Sequence, residues 1–126
     1  MGNRAVITYG CSKNSPCIYL HWNGGRDSVS AFLSAARYLG LPAPTTERAW
    51  DMFAKILAKH FFGCEVGLTI YRETFGVADK DNWDNGTYYV DKDWRITRRA
   101  FFKGREQYDP ETTRGIFERI TGAFRV

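Results

Sequence analysis

Ala5-Val6-Ile7-Thr8-Tyr9 and Cys17-Ile18-Tyr19-Leu20-His21-Trp22 decide how this chain begins to fold. Both are short runs of β-branched and aromatic residues. Gly10-Cys11-Ser12-Lys13-Asn14-Ser15-Pro16 between them has the composition of a turn, so the two runs read as a hairpin. Asn23-Gly24-Gly25 breaks the second strand. Asp27 or Ser28 can cap the first free amides of a helix, after which Val29, Phe32, Leu33, Ala36 and Leu39 recur at helical spacing. The spacing predicts a helix over 28–39, stopped by Gly40 with Pro42 beyond it.

Working outward, Thr45 or Thr46 can cap a second helix in which Trp50, Phe53, Ala54, Leu57 and Phe61 form the apolar stripe and Gly63 the end. From 64 to 72 the pattern alternates, with Val66, Leu68 and Ile70 on one face, which predicts a strand. Thr87–Val90 and Trp94–Thr97 read as two further strands on either side of Asp91-Lys92-Asp93. Asp109 followed by Pro110 opens a last helix, whose buried stripe is Ile116, Phe117, Ile120 and Phe124. The order ββααβββα groups strands with strands. It predicts an α+β fold, a mostly antiparallel sheet of about five strands with three helices against one face.

The chain has 126 residues, 44% of them hydrophobic and 16% aromatic, enough apolar surface for one domain, 1–126, to bury a core without metal or disulfide support. The first residues reach a polar loop too soon for a signal peptide, and no run approaches the ~20 apolar residues of a membrane span. A cytoplasmic protein without membrane contact is expected. Cys11, Cys17 and Cys64 are an odd number, as free thiols in a reducing compartment would be, although Cys11 and Cys17 can face each other across the first hairpin. The net charge is only +4, but it is segregated. Residues 79–93 hold Asp79, Asp81, Asp84, Asp91 and Asp93, and residues 95–105 hold Arg95, Arg98, Arg99, Lys103 and Arg105 with no acid among them.

Two stretches stand out chemically. In His21-Trp22-Asn23-Gly24-Gly25-Arg26-Asp27-Ser28, glycines before a helix can turn amides toward an anion, with Arg26 adding a charged fork, so Asn23, Gly24, Gly25 and Arg26 form a candidate anion-binding turn. The spacing is not that of a P-loop or dinucleotide fingerprint, and the plainer reading is a sharp turn with Asp27 as a cap. In the basic stretch, cations interleave with Phe101 and Phe102, as in nucleic-acid-binding surfaces. The competing reading is a set of arginines neutralised by the acids just upstream. Trp83, in a polar loop, either folds back on the core or serves as a binding anchor.

No catalytic or metal signature accompanies these stretches. His21 can be matched with Cys17 or Ser28 only on paper, and His60 near a helix end reads as packing. The two histidines are not at ligand spacing with a cysteine or carboxylate, and residues 79–86 fail the calcium-loop template, so neither metal nor cofactor is expected.

Gly2-Asn3-Arg4-Ala5-Val6-Ile7-Thr8, Ile18-Tyr19-Leu20-His21-Trp22-Asn23-Gly24-Gly25, Asp84-Asn85-Gly86-Thr87-Tyr88 and Phe101-Phe102-Lys103-Gly104-Arg105-Glu106-Gln107 together resemble a family of small bacteriophage and prophage accessory proteins. The resemblance implies a mobile-element origin and an anti-CRISPR type of role, with no catalytic residues to carry over. Three readings follow. The first is a non-enzymatic protein that blocks a host defence complex, such as a CRISPR effector, by covering a protein or nucleic-acid-binding surface. The second is a direct nucleic-acid-binding module using Arg95, Arg98, Arg99, Lys103 and Arg105 on phosphates, with Trp83 or Trp22 stacking on bases. The third is a small enzyme acting on a phosphoester or nucleotide at the Gly24-Gly25-Arg26 junction.

Overall fold

The structure, a computed structural model, describes residues 2–61 and 70–124. Its elements are β1 (Ala5–Thr8), β2 (Pro16–Leu20), α1 (Arg26–Tyr38), α2 (Glu47–His60), β3 (Ile70–Thr74), β4 (Thr87–Val90), β5 (Ile96–Ala100) and α3 (Pro110–Ala123). The earlier part of the strand expected over 64–72, with Cys64 and the Gly63 stop, lies outside the described residues.

β1 and β2 form the expected antiparallel hairpin, Ala5 opposite Leu20 and Thr8 opposite Cys17. β3 extends it antiparallel to β2, but β4 joins the other edge of β1 in parallel, and β5 pairs antiparallel with β4. The five-stranded sheet therefore has the order β3-β2-β1-β4-β5. It is a mixed sheet, antiparallel in three of its four pairings and parallel between β1 and β4, and its strands do not lie in chain order. The reason is the connection after β3. Residues 75–86 carry the chain back across the sheet, so β4 starts at the same end as β1.

That crossing also explains a departure from alternation. Ala5, Ile7, Ile18, Leu20, Tyr88 and Val90 face the helices and share their core with Val29, Phe32, Trp50, Phe53, Leu57 and Ile120. On the opposite face Val6 and Cys17 pack with Ala78 of the crossing segment, with Tyr19 beside them. β1 is covered on both faces, and all four of its residues are buried.

The helices follow their local signals closely. α1 begins two residues before the expected start, with Gly25 rather than Asp27 or Ser28 as N-cap, and it ends where expected. Gly40 adopts φ 73°, its amide donating to the Arg37 carbonyl and that of Leu41 to the Ala36 carbonyl, a Schellman closure. Thr46 caps α2 by accepting from the Ala49 amide at 3.2 Å, and Asp109 caps α3 by accepting from Glu111, with Pro110 in the first turn. Phe124, expected in the α3 stripe, is exposed instead, because it lies past the helix C-terminus.

Trp94 is not a strand residue. β5 starts at Ile96, and Trp94 sits in the preceding turn at φ 61°. Its buried ring lies 5.0 Å from Trp50 and 4.8 Å from Phe53 between centroids, and its indole N–H donates to the Pro42 carbonyl at 3.0 Å. A backbone shape that costs a bulky residue about 1 kcal/mol is offset here by burial of a large ring with its polar atom satisfied.

Candidate functional site

The start of β1, the end of β2, the start of β4 and the end of β5 lie at one end of the sheet, as their pairing dictates. This end gathers the β2–α1 junction, the close of the crossing segment and the segment after β5, the three stretches singled out in sequence.

The junction is closed by the protein's own groups. The Gly24 amide donates to the Asn3 carbonyl, the Gly24 carbonyl accepts from the Tyr88 hydroxyl at 2.8 Å, and the Asp27 amide donates to the Gln107 carbonyl at 2.9 Å. The Ser28 amide is taken by Asp27 Oδ1 at 2.7 Å. The positive φ falls on Asn23, at 60°. Gly24 is needed for close approach, since a Cβ would strike the Asn3 carbonyl oxygen, whereas a Cβ on Gly25 would meet the movable end of the Gln107 side chain. The expected anion-binding turn thus has two helix N-terminal amides already engaged, and only Arg26 of its members reaches outward, 3.8 Å from Glu106.

Asn3, Asn85 and Gln107 knit the end together. Asn85 Nδ2 donates to Asn3 Oδ1 at 2.6 Å, and Asn3 Nδ2 donates to Gln107 Oε1 at 2.9 Å. Arg4 bonds Asp84 Oδ2 through its backbone N–H at 3.1 Å and through Nε at 2.7 Å. Burial works to raise the Asp84 pKa, but the hydrogen bonds and charge of Arg4 outweigh it and hold the carboxyl below its ordinary value. None of these polar partners was a candidate from sequence, because they meet across sequence separations of about 80 to 104 and leave no local pattern.

The basic stretch does not form one exposed patch. Arg99 points to the helix side, opposite Tyr88, with only 11% of its side chain exposed. Its Nη1 donates to Glu106 Oε1 and Oε2 at 2.6 and 2.8 Å, and Nη2 donates to the Asn85 carbonyl at 3.1 Å. The guanidinium lies 4.2 Å from the Tyr88 ring centroid and 3.9 Å from that of Phe102, and its Nε is buried without a partner. Lys103 pairs with Asp81 at 2.7 Å, the sole pairing among the described residues between the basic stretch and the acids of residues 79–93. Arg98 is exposed on the other face of the sheet over the Tyr89 ring, Arg105 is exposed, and Arg95 is exposed before β5; none of the three has an ion pair among the described residues.

Trp83 does not fold back. It is 71% exposed, at φ 64°, in a turn built around Asn82. The fully buried Asn82 side chain donates to the carbonyls of Asp79 and Gly86, each at 3.0 Å, and accepts from the amides of Asp84 and Gly86 at 3.3 and 3.0 Å. Lys103 Nζ stands 3.9 Å from the Trp83 ring centroid, and its amide donates to the Asp84 carbonyl at 2.9 Å. Phe101, 49% exposed at φ 59°, follows β5 beside Gly86. Two large aromatics, Trp83 exposed and Phe101 half-exposed, thus stand on strained backbone in two segments joined by the Lys103–Asp84 backbone hydrogen bond.

The paper pairings of His21 are not formed. His21 Nδ1 lies 3.2 Å from the Tyr19 hydroxyl, while the Ser28 hydroxyl is engaged with Asn23 and Asp27. Cys17 is buried, its thiol pushed up to about 12 by burial, with Glu73 adding to it, and it is unpaired; Cys11 is exposed and also free. His60 packs against Phe32 and Phe61 and bonds Arg119 through Nδ1 at 3.1 Å. Among the described residues no cluster of His, Cys, Asp or Glu is placed to hold a metal, and no helix is long and apolar enough to cross a membrane. No protein-family model, curated protein or solved structure matches the chain.

Proposed function

We propose that the chain is a non-enzymatic binding protein that docks on a partner protein through Trp83, Phe101 and Lys103, and that the partner is a host defence complex whose working surface it covers. One observation carries the docking surface: a fully buried asparagine with four hydrogen bonds holds a tryptophan out in solvent. Left-handed backbone costs a bulky residue ~1–2 kcal/mol, and such strain persists where surrounding structure enforces it. A rigid exposed aromatic beside a cation is the kind of residue that dominates protein interfaces, since little entropy is lost when it is buried. Asp81 and Lys103 give the patch both signs of charge, which suits a protein surface better than a uniform polyanion. The nature of the partner rests on the resemblance to small phage and prophage proteins, an anti-CRISPR role being the form it takes there.

The test is a phage-protection assay in cells with an active CRISPR system, together with direct binding to the purified effector. Trp83→Ala should leave the melting temperature unchanged and weaken binding about 30-fold or more, the size of a ~2 kcal/mol anchor. Wild-type protein that neither protects phage nor binds the effector removes the defence-complex reading, and undiminished binding by Trp83→Ala and Phe101→Ser removes the docking surface.

A further inference from the structure

α1 turns a polar stripe toward β5. Arg26, Ser30, Ser34 and Arg37 follow one another along it, and with Arg95 and Ile96 they line a cleft of ≈190 Å³. A second cleft, ≈530 Å³, shares Arg37 and Arg95 and brings in Lys92 and Asp93. Arg37 and Arg95 line both clefts, which meet along one trough where Arg26, Arg37, Arg95 and Lys92 stand with Asp93, and Asp91 and Glu106 lie beside it.

The cations are aimed and largely unspent. Arg37 is fixed by hydrogen bonds from Nη1 to the Trp94 carbonyl at 2.7 Å and from Nη2 to Ser34 Oγ at 3.0 Å, which leaves most of its five donors free. The Arg95 side chain has no hydrogen-bond or ion-pair partner among the described residues. Arg26 has one ion-pair partner among the described residues, Glu106 at 3.8 Å, which is already bonded to Arg99, and its guanidinium lies 5.8 Å from the Tyr108 ring centroid. At the other end, Asp91 Oδ1 is occupied by the amides of Asp93 and Arg95. Burial and, after it, the nearby charge of Arg95 hold the Arg37 guanidinium below its ordinary pKa, with Asp91 opposing them.

We propose that this trough binds the phosphodiester backbone of a nucleic-acid strand. Planar guanidinium forks and serine hydroxyls are donors matched to phosphate oxygens. Eleven helical rises separate Arg26 from Arg37, about 16 Å at ~1.5 Å each, long enough to follow more than one phosphate of a strand. A free nucleotide would fill only part of that length. Trp94 is committed to the core, and the exposed Tyr108 ring stands 5.8 Å from the Arg26 guanidinium at one end, so contact along the rest of the trough is to the backbone regardless of sequence. The trough shares no lining residue with the Trp83 surface.

The test is fluorescence anisotropy of the full chain with labelled single-stranded DNA, single-stranded RNA and duplex DNA, between about 50 and 200 mM salt. Three arginines at ~0.7 counterion each predict a log–log salt slope near −2 for a single strand. Arg26→Glu and Arg95→Glu, both at exposed positions, should each weaken binding about tenfold and flatten the slope by ~1, while Arg98→Glu, on the opposite face, changes neither. Should a charge reversal lower the melting temperature, Arg95→Gln and Ser34→Ala read the same site with less disturbance. Trp83→Ala should bind the strand as wild type does. No binding at the lowest salt, equal loss in Arg98→Glu, or displacement of the strand by ATP or inorganic phosphate at matched ionic strength would overturn the proposal, the last by making the site a pocket for a small anion.

Discussion

Replacing Arg99 by alanine should unfold the protein far more readily than replacing its neighbour Arg98, although in sequence the two are adjacent arginines on one strand. Arg99→Ala removes a two-pronged ion pair to Glu106, a hydrogen bond to the Asn85 carbonyl, and the stacking of a guanidinium between Tyr88 and Phe102. Breaking a buried pair costs ~3–5 kcal/mol, but Glu106 is 38% exposed and regains water, which places the electrostatic part below that range. A partly desolvated cation–π contact adds ~1 kcal/mol. About 3 kcal/mol in all is expected, or roughly 12 °C in melting temperature at ~2.1 cal/mol/K of unfolding entropy per residue. Arg98 is itself exposed and lies over the half-buried Tyr89 ring, so Arg98→Ala should shift the melting temperature by no more than about 3 °C. Thermal unfolding followed by circular dichroism, with urea midpoints as a check, reads both. Equal small shifts would refute the reasoning, since they would mean that Arg99 is solvated and free for a partner.

Asn82→Ala should cost several kcal/mol by stranding the Asp84 and Gly86 amides and the Asp79 and Gly86 carbonyls, whereas Trp83→Ala next to it should cost almost nothing; chemical denaturation separates them. Stability should also fall on the acid side in two stages. Burial and then Arg119 keep the His60 imidazole below its usual pKa, so its contribution is present above about pH 6.5 and is lost as pH falls through the lower folded value, and His60→Phe should flatten this arm of a melting-temperature profile. Asp84, held low by Arg4, contributes above about pH 4 and loses that contribution below it, an arm that Asp84→Asn should remove. In native protein, maleimide should label Cys11 and spare Cys17, whose thiol is buried and pushed up to about 12; peptide mapping that finds Cys17 labelled as fast as Cys11 would contradict its burial.

What the linear pattern could reveal was whatever is decided within a few residues. Thr46 and Asp109 cap helices because the group each satisfies lies two or three residues away, and Gly40 closes α1 for the same local reason. The hairpin of β1 and β2 and the apolar stripes of α1 and α2 were legible from spacing alone. Phe124 and Trp94 mark the limit. Their residue types argue for core stripe and strand, yet one ends up past a helix end and the other in a buried turn.

The parallel pairing of β4 with β1 has no short-range signature, because it depends on where residues 75–86 take the chain after β3. Once that crossing is made, the second face of the sheet is covered, Asn82 is buried, and Trp83 is turned outward. The same holds for the arginines. Composition and order established a basic stretch after an acidic one, but strand register alone decides that Arg98 faces solvent while Arg99 is enclosed, since adjacent strand residues point to opposite faces. Which cations are free, and that Arg26, Arg37 and Arg95 meet along one trough, follows from the packing of α1 beside β5, a relation between segments about 70 residues apart that no local preference encodes.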